Sequence, residues 1–281
     1  MRKRKVKVDE GVCKLTLKKG KFVASHILPR ALTILSPTGE RAIQAKLGAK
    51  PVKRFQGWYD NTLAIREGED VLSDIDNKAI KILRQNKLVW SGWPTIADKL
   101  PCDPSQITRG DENIAFRIIP NINFTPLKIF FMSILWRAAA SSRDDMNEVY
   151  LDADNLEKLR LATLHQDPLS KYEFPVRLHQ IANRGIPHNR SPFIETREYD
   201  MGPPFVNRDY TTCRIYMDGL IAHIALDADR NYVDSLGDLI VGNSSQQGIL
   251  LNSFESSRSK ENLFLAFNLT DISPKAKRND F

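Results

Sequence analysis

Length and composition place the chain among globular proteins and argue against several other classes. Its 281 residues are 42% hydrophobic and 27% charged, which provides enough apolar content for a substantial core. The most apolar segment, residues 127–140, is too short and too charged to span a bilayer, and no apolar stretch of a signal peptide follows the basic start. Three widely separated cysteines argue against a disulfide framework. We therefore expect a cytoplasmic protein without a membrane association.

Positive charge is concentrated near the beginning of the chain. Residues 1–54 contain 15 of the 41 Lys and Arg but 3 of the 34 Asp and Glu, a net charge of +12 against +7 for the whole chain. This distribution is typical of a surface that faces DNA or another polyanion. The alternatives are a solvated arm without specific contacts and an arm that docks on an acidic protein partner. The residues that we predict to contact nucleic acid are Arg2, Lys3, Arg4, Lys5, Lys7, Lys18, Lys19, Lys21, Arg30, Lys53 and Arg54.

The first predicted elements form a β-hairpin that ends at a histidine. A lysine-rich turn at residues 18–21 separates two short apolar runs, 12–17 and 22–24. Because Pro29 lacks a backbone N–H, the second strand is expected to end at or just after His26. A histidine at a strand end beside positive charge suits chemistry on a phosphodiester, although a single histidine is often only structural.

A strand and a helix are predicted next and complete an N-terminal unit over residues 1–88. The β-prone run lies at 62–65, and from Ser73 the pattern becomes helical, with Asp76 placed to complete an N-terminal cap. One face of this helix carries the apolar side chains Leu72, Ile75, Ala79, Ile82 and Leu83.

The rest of the chain is predicted to form a helical body at 89–200 and a hairpin-rich part at 201–281. Residues 114–119 form a candidate strand, and the helix at 127–140 is apolar nearly all round, which places Trp136 in the core. Residues 168–204 have no sustained period and are interpreted as an irregular connector, in which His179 and His188 are further candidates for a site. Asp218-Gly219 predicts a hairpin, and strands are expected at 236–241 and 263–269. The predicted class is α+β.

Four short motifs occur in an order that resembles a known family. They are Cys13, Ser25-His26-Ile27-Leu28-Pro29, Gly57-Trp58-Tyr59-Asp60 and Ser133-Ile134-Leu135-Trp136-Arg137-Ala138. Together they resemble the HNH, or ββα-metal, endonuclease superfamily over residues 10–180, and in particular an uncharacterised bacterial branch marked by Ser-His-Ile-Ile-Pro. The resemblance implies a ββα-metal-like N-terminal unit, His26 as the general base that deprotonates a water, a divalent metal such as Mg²⁺ or Mn²⁺, and a role in defence against phage.

The chain departs from this family at the zinc site. Thr16, Ile65 and Gly68 stand where the family has three further cysteines, and Cys13 alone cannot hold a tetrahedral zinc ion. We therefore expect no structural zinc. Candidate oxygen ligands for Mg²⁺ or Mn²⁺ are Asp60, Glu69 and Asp70, although acidic residues before a helix also occur as a solvated group favoured by the helix dipole.

Three functions follow from these observations. The first is a nucleic-acid-binding protein derived from an HNH endonuclease that has lost its zinc site, acting in antiphage defence alone or with a protein partner in a multi-subunit system. The second is an active metal-dependent endonuclease with His26 as its general base. The third is an interaction protein that does not bind nucleic acid.

Overall fold

The chain folds as an α+β protein, as the sequence predicts. The computed structural model describes residues 9–33, 42–46, 49–54, 57–109, 115–199, 208–261 and 263. Its helices are α1 (Arg30–Thr33), α2 (Arg66–Gln85), α3 (Thr125–Ala140), α4 (Ala153–His165) and α5 (Arg230–Leu236). Within these described ranges, no helix has the length and apolar character needed to cross a membrane.

Thirteen strands form three sheets in the described part of the chain. The strands are β1 (Glu10–Val12), β2 (Lys19–His26), β3 (Ala42–Lys46), β4 (Ala49–Arg54), β5 (Tyr59–Ile65), β6 (Ile107–Arg109), β7 (Ala115–Ile119), β8 (Val176–Ile181), β9 (His188–Arg190), β10 (Phe193–Tyr199), β11 (Arg208–Met217), β12 (Leu220–Ala225) and β13 (Gln247–Asn252). The small sheets have the orders β1-β2-β5 and β4-β3-β9, and the large sheet has the order β10-β11-β12-β8-β13-β7-β6.

The first hairpin differs from the predicted one in the position of its turn. Strand β1 pairs antiparallel with β2, but the turn lies at residues 13–18, so the prediction of a strand over 12–17 and a turn at 18–21 is wrong. The turn is closed by a 2.9 Å hydrogen bond from the N–H of Cys13 to the carbonyl of Lys18. Cys13 and Leu15 point into the core, and Leu17 has a positive φ of 59°. Burial of these two side chains therefore outweighs the turn preference of the lysine-glycine segment.

Strand β5 leads directly into helix α2, which packs against β2 and β5. Because α2 begins at Arg66, the prediction of an N-terminal cap at Ser73 with Asp76 is wrong, and both residues lie inside the helix. The predicted apolar face is confirmed, since Leu72, Ile75, Ala79 and Leu83 are buried. Glu67 and Glu69 occupy the first turn, where negative charge interacts favourably with the helix dipole.

Helix α3 is the centre of the main core. It contacts α2, α4 and β12, and its side chains are buried around most of its circumference, including Trp136 as predicted. The same hydrophobic cluster contains Cys13 from the first turn and Ile215 from β11. The N-terminal unit therefore packs into the core that the large sheet also covers.

The large sheet contains strands that the sequence did not reveal. Residues 168–204, predicted as an irregular connector, contain β8, β9 and β10, so that prediction is wrong. In β8 both faces are buried, and Arg177 and His179 alternate with apolar residues, which hides the strand pattern. The boundary predicted at residue 200 lies between β10 and β11, which pair antiparallel from Phe193↔Arg214 to Tyr199↔Arg208.

In residues 201–281 the predicted hairpin is confirmed, but the strand predicted at 236–241 is not. The Asp218-Gly219 hairpin is confirmed, because both residues have positive φ values of 48° and 80° and connect β11 to β12. Residues 236–241 form the end of α5 and a 3₁₀ turn instead of the predicted strand. Of the strand predicted at 263–269, only residue 263 lies within the described residues, and it is helical.

Candidate functional site around His26

His26 is the last residue of β2 and lies opposite Tyr59, the first residue of β5. Its side chain is half-buried rather than packed in the interior. Directly after it, Ile27 and Leu28 are fully buried, and the N–H of Ile27 donates to the carbonyl of Trp58 at 2.9 Å. The backbone at the end of β2 is thus anchored, and the half-buried side chain of His26 projects from this fixed position.

Arg137 of α3 connects the backbone of His26 to helix α2. Its guanidinium donates to the His26 carbonyl at 2.9 Å and to the two carboxylate oxygens of Asp76 at 2.6 and 3.1 Å. It also donates to the hydroxyl of Ser133 at 2.8 Å. The Arg137 side chain is only 1% exposed and that of Asp76 only 14%, so this ion pair is largely shielded from water.

Burial and three charges set the protonation of His26. Burial lowers the pKa of His26, Asp76 acts to raise it, and Arg30 and Arg137 lower it further. The net result is a pKa below the ordinary 6.5 of histidine, so the imidazole is mainly neutral at pH 7. A neutral imidazole has one nitrogen that accepts a proton and one that donates a hydrogen bond, which suits both general-base chemistry and a phosphate contact.

Glu69 is a second acidic group beside the end of β2. It projects from the first turn of α2 close to the hydroxyl of Ser25, which is fully buried. Burial raises the pKa of Glu69, and the contacts with Ser25 and Arg137 only partly oppose that rise. None of the described residues gives its Oε2 atom a hydrogen bond.

The three predicted metal ligands do not come together. Asp60 accepts hydrogen bonds from Ser141 and Thr62, and although burial acts to raise its pKa, these bonds hold the pKa below its usual value. Asp70 is exposed and lies 3.8 Å from Arg66 in an ion pair. Glu69 faces Ser25 instead. Across the described ranges, no group of three His, Cys, Asp or Glu side chains could hold a metal ion.

The surroundings of Cys13 are closely packed. Cys13 is fully buried and accepts a hydrogen bond from the N–H of Thr16 at 3.4 Å. Gly68 lies against it so closely that a Cβ at residue 68 would stand 2.8 Å from the Cys13 sulfur. One thiol among apolar neighbours does not fit a tetrahedral zinc ion.

Of the residues predicted to contact nucleic acid, Arg30 lies near His26, whereas Lys19 and Lys21 lie toward the opposite end of β2. Lys19 and Lys21 are exposed on β2, and Arg30 is exposed at the start of α1, near enough to His26 to affect its pKa. Lys18 instead pairs with Glu67 at 2.6 Å. Of Lys53 and Arg54 the structure describes only the backbone in β4, and Arg2, Lys3, Arg4, Lys5 and Lys7 lie outside the described residues.

Asp76, Arg137 and Ser133 are the site residues that sequence reasoning missed. Arg137 could have been predicted to have an acidic partner, because a charged residue inside an apolar helix such as α3 is rarely buried without one. Together, fold and site define an α+β protein in which a half-exposed neutral histidine lies above a buried arginine–aspartate pair. In comparisons with family models, curated proteins and solved structures, nothing matches the chain.

Proposed function

We propose that this chain is a nucleic-acid-binding protein derived from an HNH-type endonuclease, and that it acts in bacterial defence against phage. The observation that carries the proposal is the contact of Arg137 with both Asp76 and the carbonyl of His26. Asp76, the carboxylate that acts on the pKa of His26, is thereby already paired with a cation that the protein itself supplies. The proposed role is therefore binding at this surface, with the zinc site lost.

Binding would use the basic groups exposed along β2 and at the start of α1. Lys19 and Lys21 supply two positive charges from the same strand as His26, and Arg30 supplies a third from α1. Each phosphate contact made by such a group releases counterions, so the affinity would fall steeply as salt rises. The neutral imidazole of His26 would donate one hydrogen bond to a phosphate oxygen.

The test is nucleic-acid binding measured at several salt concentrations. Fluorescence anisotropy with duplex DNA and with single-stranded RNA of equal length would compare the wild type with the double variant Lys19→Gln/Lys21→Gln. If both lysines contact phosphates, the slope of log affinity against log salt should decrease by about 2. Lys99→Gln/Lys158→Gln, which removes two exposed lysines on other elements, should change the slope much less. Equal losses in both double variants, or no salt-dependent binding at all, would contradict the proposal and favour a protein partner.

A second candidate function, metal-dependent DNA cleavage, is favoured by Glu69. A partly buried carboxylate with an oxygen that no described residue hydrogen-bonds is a group that a cation would stabilise. Plasmid nicking in the presence of Mg²⁺ or Mn²⁺ distinguishes this function from binding alone. Cleavage that is lost in His26→Ala but kept in His165→Ala, an exposed histidine on α4, would support it. Absence of cleavage together with salt-dependent binding is the result that the first proposal expects.

A further inference from the structure

At the end of the small sheet β1-β2-β5, one pair of side chains faces the core and the next pair faces outward. Ser25 of β2 lies opposite Asp60 of β5, and both side chains are buried. One position further along β2, His26 lies opposite Tyr59, and both of these are partly exposed. Directly opposite residues of an antiparallel pair share a face, and successive pairs alternate between faces. His26 and Tyr59 therefore form an outward pair at the end of the sheet.

The two rings of this outward pair lie beside each other without covering each other. Their centroids are 6.3 Å apart and their planes are tilted by 55°. Stacked rings lie closer together and closer to parallel, so the face of neither ring is taken up by the other. The pair therefore offers aromatic surface on which a further flat group can lie.

The backbone that carries the Tyr59 ring is fixed on both sides. The preceding residue, Trp58, is buried, and its carbonyl accepts the N–H of Ile27 at 2.9 Å. The carbonyl of Tyr59 itself accepts a hydrogen bond from the guanidinium of Arg143 at 2.8 Å, and Asp145 holds that guanidinium at 2.7 Å. A group that binds on a surface already ordered in this way loses less free energy to ordering.

The exposed charge around the outward pair is positive. Arg30 of α1 is exposed and near enough to His26 to lower its pKa, and Lys19 and Lys21 are exposed farther along β2. Asp76, the carboxylate that acts on His26, is paired with Arg137. Aromatic rings alone would accept any flat apolar group. Rings with a guanidinium beside them fit a flat group that is linked to a phosphate, which describes a nucleotide in an unpaired strand.

We propose that Tyr59 and His26 form a stacking platform for an unpaired base, so that this surface favours single-stranded nucleic acid over duplex. Bases inside a duplex are stacked on both faces and reach a protein ring only after they leave the helix. Stacking on aromatic side chains accepts all four bases, because each base has a π face. This inference rests on the proposed function and names the substrate class of the same site.

The experiment is fluorescence anisotropy of the full chain with three DNA oligonucleotides of equal length. The first is a single strand of mixed sequence, the second is its duplex, and the third is a single strand in which tetrahydrofuran abasic residues replace the nucleosides. The abasic strand keeps the phosphates and lacks the bases. The wild type should bind the intact single strand about fivefold or more tightly than the abasic strand, and also more tightly than the duplex.

Variants of two tyrosines locate the effect. Tyr59→Leu should remove most of the preference for the intact over the abasic strand, and Tyr59→Phe, which keeps a ring, should rescue it. Tyr172→Leu is the matched control and should keep the preference. Tyr172 is also partly exposed and lies beside two cations, Lys171 and Arg230, but it packs with α5 and not at the end of β2.

The comparison of intact and abasic strands uses the wild type, so it holds even if Tyr59→Leu does not fold. Equal, salt-dependent affinity of the wild type for all three oligonucleotides would overturn the stacking platform and leave the proposed function in place. An equal loss of preference in Tyr59→Leu and Tyr172→Leu would also overturn it. No binding of any oligonucleotide would overturn the platform together with the proposed function.

Discussion

Replacing Arg137 by Met tests whether the buried arginine holds the His26 site together. The substitution keeps an unbranched apolar side chain in α3 but removes the partner of Asp76 and the donor to the His26 carbonyl. Removing one member of a buried ion pair typically costs about 3–5 kcal/mol, because the other charge is left without compensation. Asp76 is 14% exposed and retains some access to water, so we expect a loss of about 3 kcal/mol, near the lower end.

The assay is urea unfolding of the wild type, Arg137→Met, Asp76→Asn and the double variant. If the two side chains stabilise each other, the double variant should lose less free energy than the sum of the single variants, by about 1–3 kcal/mol. The His26 pKa gives a second measurement by NMR, since it should rise in Arg137→Met, where Arg137 no longer opposes the effect of Asp76, and fall in Asp76→Asn. Additive free energies together with an unchanged His26 pKa would refute the reasoning.

Three further predictions concern buried groups elsewhere. Burial raises the pKa of Asp218 to about 6, so ionisation of this carboxyl destabilises the folded state increasingly between about pH 4 and 6. Asn also tolerates the positive φ at this position. In urea unfolding, Asp218→Asn should therefore be more stabilising at pH 8 than at pH 4, by up to about 3 kcal/mol. Burial lowers the pKa of Lys128 to about 8, so below that pH the buried ammonium destabilises the folded state by its full amount. Any stabilisation by Lys128→Met should shrink as the pH rises from about 8 toward 10.5. A difference in unfolding free energy that does not change with pH would contradict this. Gly68→Ala should cost about 1–3 kcal/mol through its contact with the Cys13 sulfur, and thermal unfolding should show recovery in Cys13→Ala/Gly68→Ala; no recovery would mean that another contact is responsible.

The features that the sequence predicts correctly are those with local causes. Helix α3 and its buried Trp136 follow from an apolar run, and the β11–β12 turn follows from Asp218-Gly219. Pro29 correctly indicates that β2 ends at His26. The site residues that were missed depend on distant contacts, since Asp76 and Arg137 are 61 positions apart and neither reveals its partner.

Strands β8 and β9 of the structure were not predicted for a different reason. A strand with one buried face alternates between apolar and polar residues, but β8 and β9 are buried on both sides. Arg177, His179 and His188 interrupt the apolar pattern because the second face is polar as well as buried. Such a segment is easily interpreted as a surface loop, although its charged residues lie inside the protein.

The most direct test of the account is to observe His26 while nucleic acid binds. In an NMR titration of the full chain with a short DNA duplex, the imidazole signals of His26 should shift, and its pKa should rise because phosphate groups lie nearby. The exposed His165 on α4 should keep its signals and serves as the internal control. If the DNA binds to saturation while the His26 signals and pKa remain unchanged, the nucleic-acid surface lies elsewhere and the central claim is wrong.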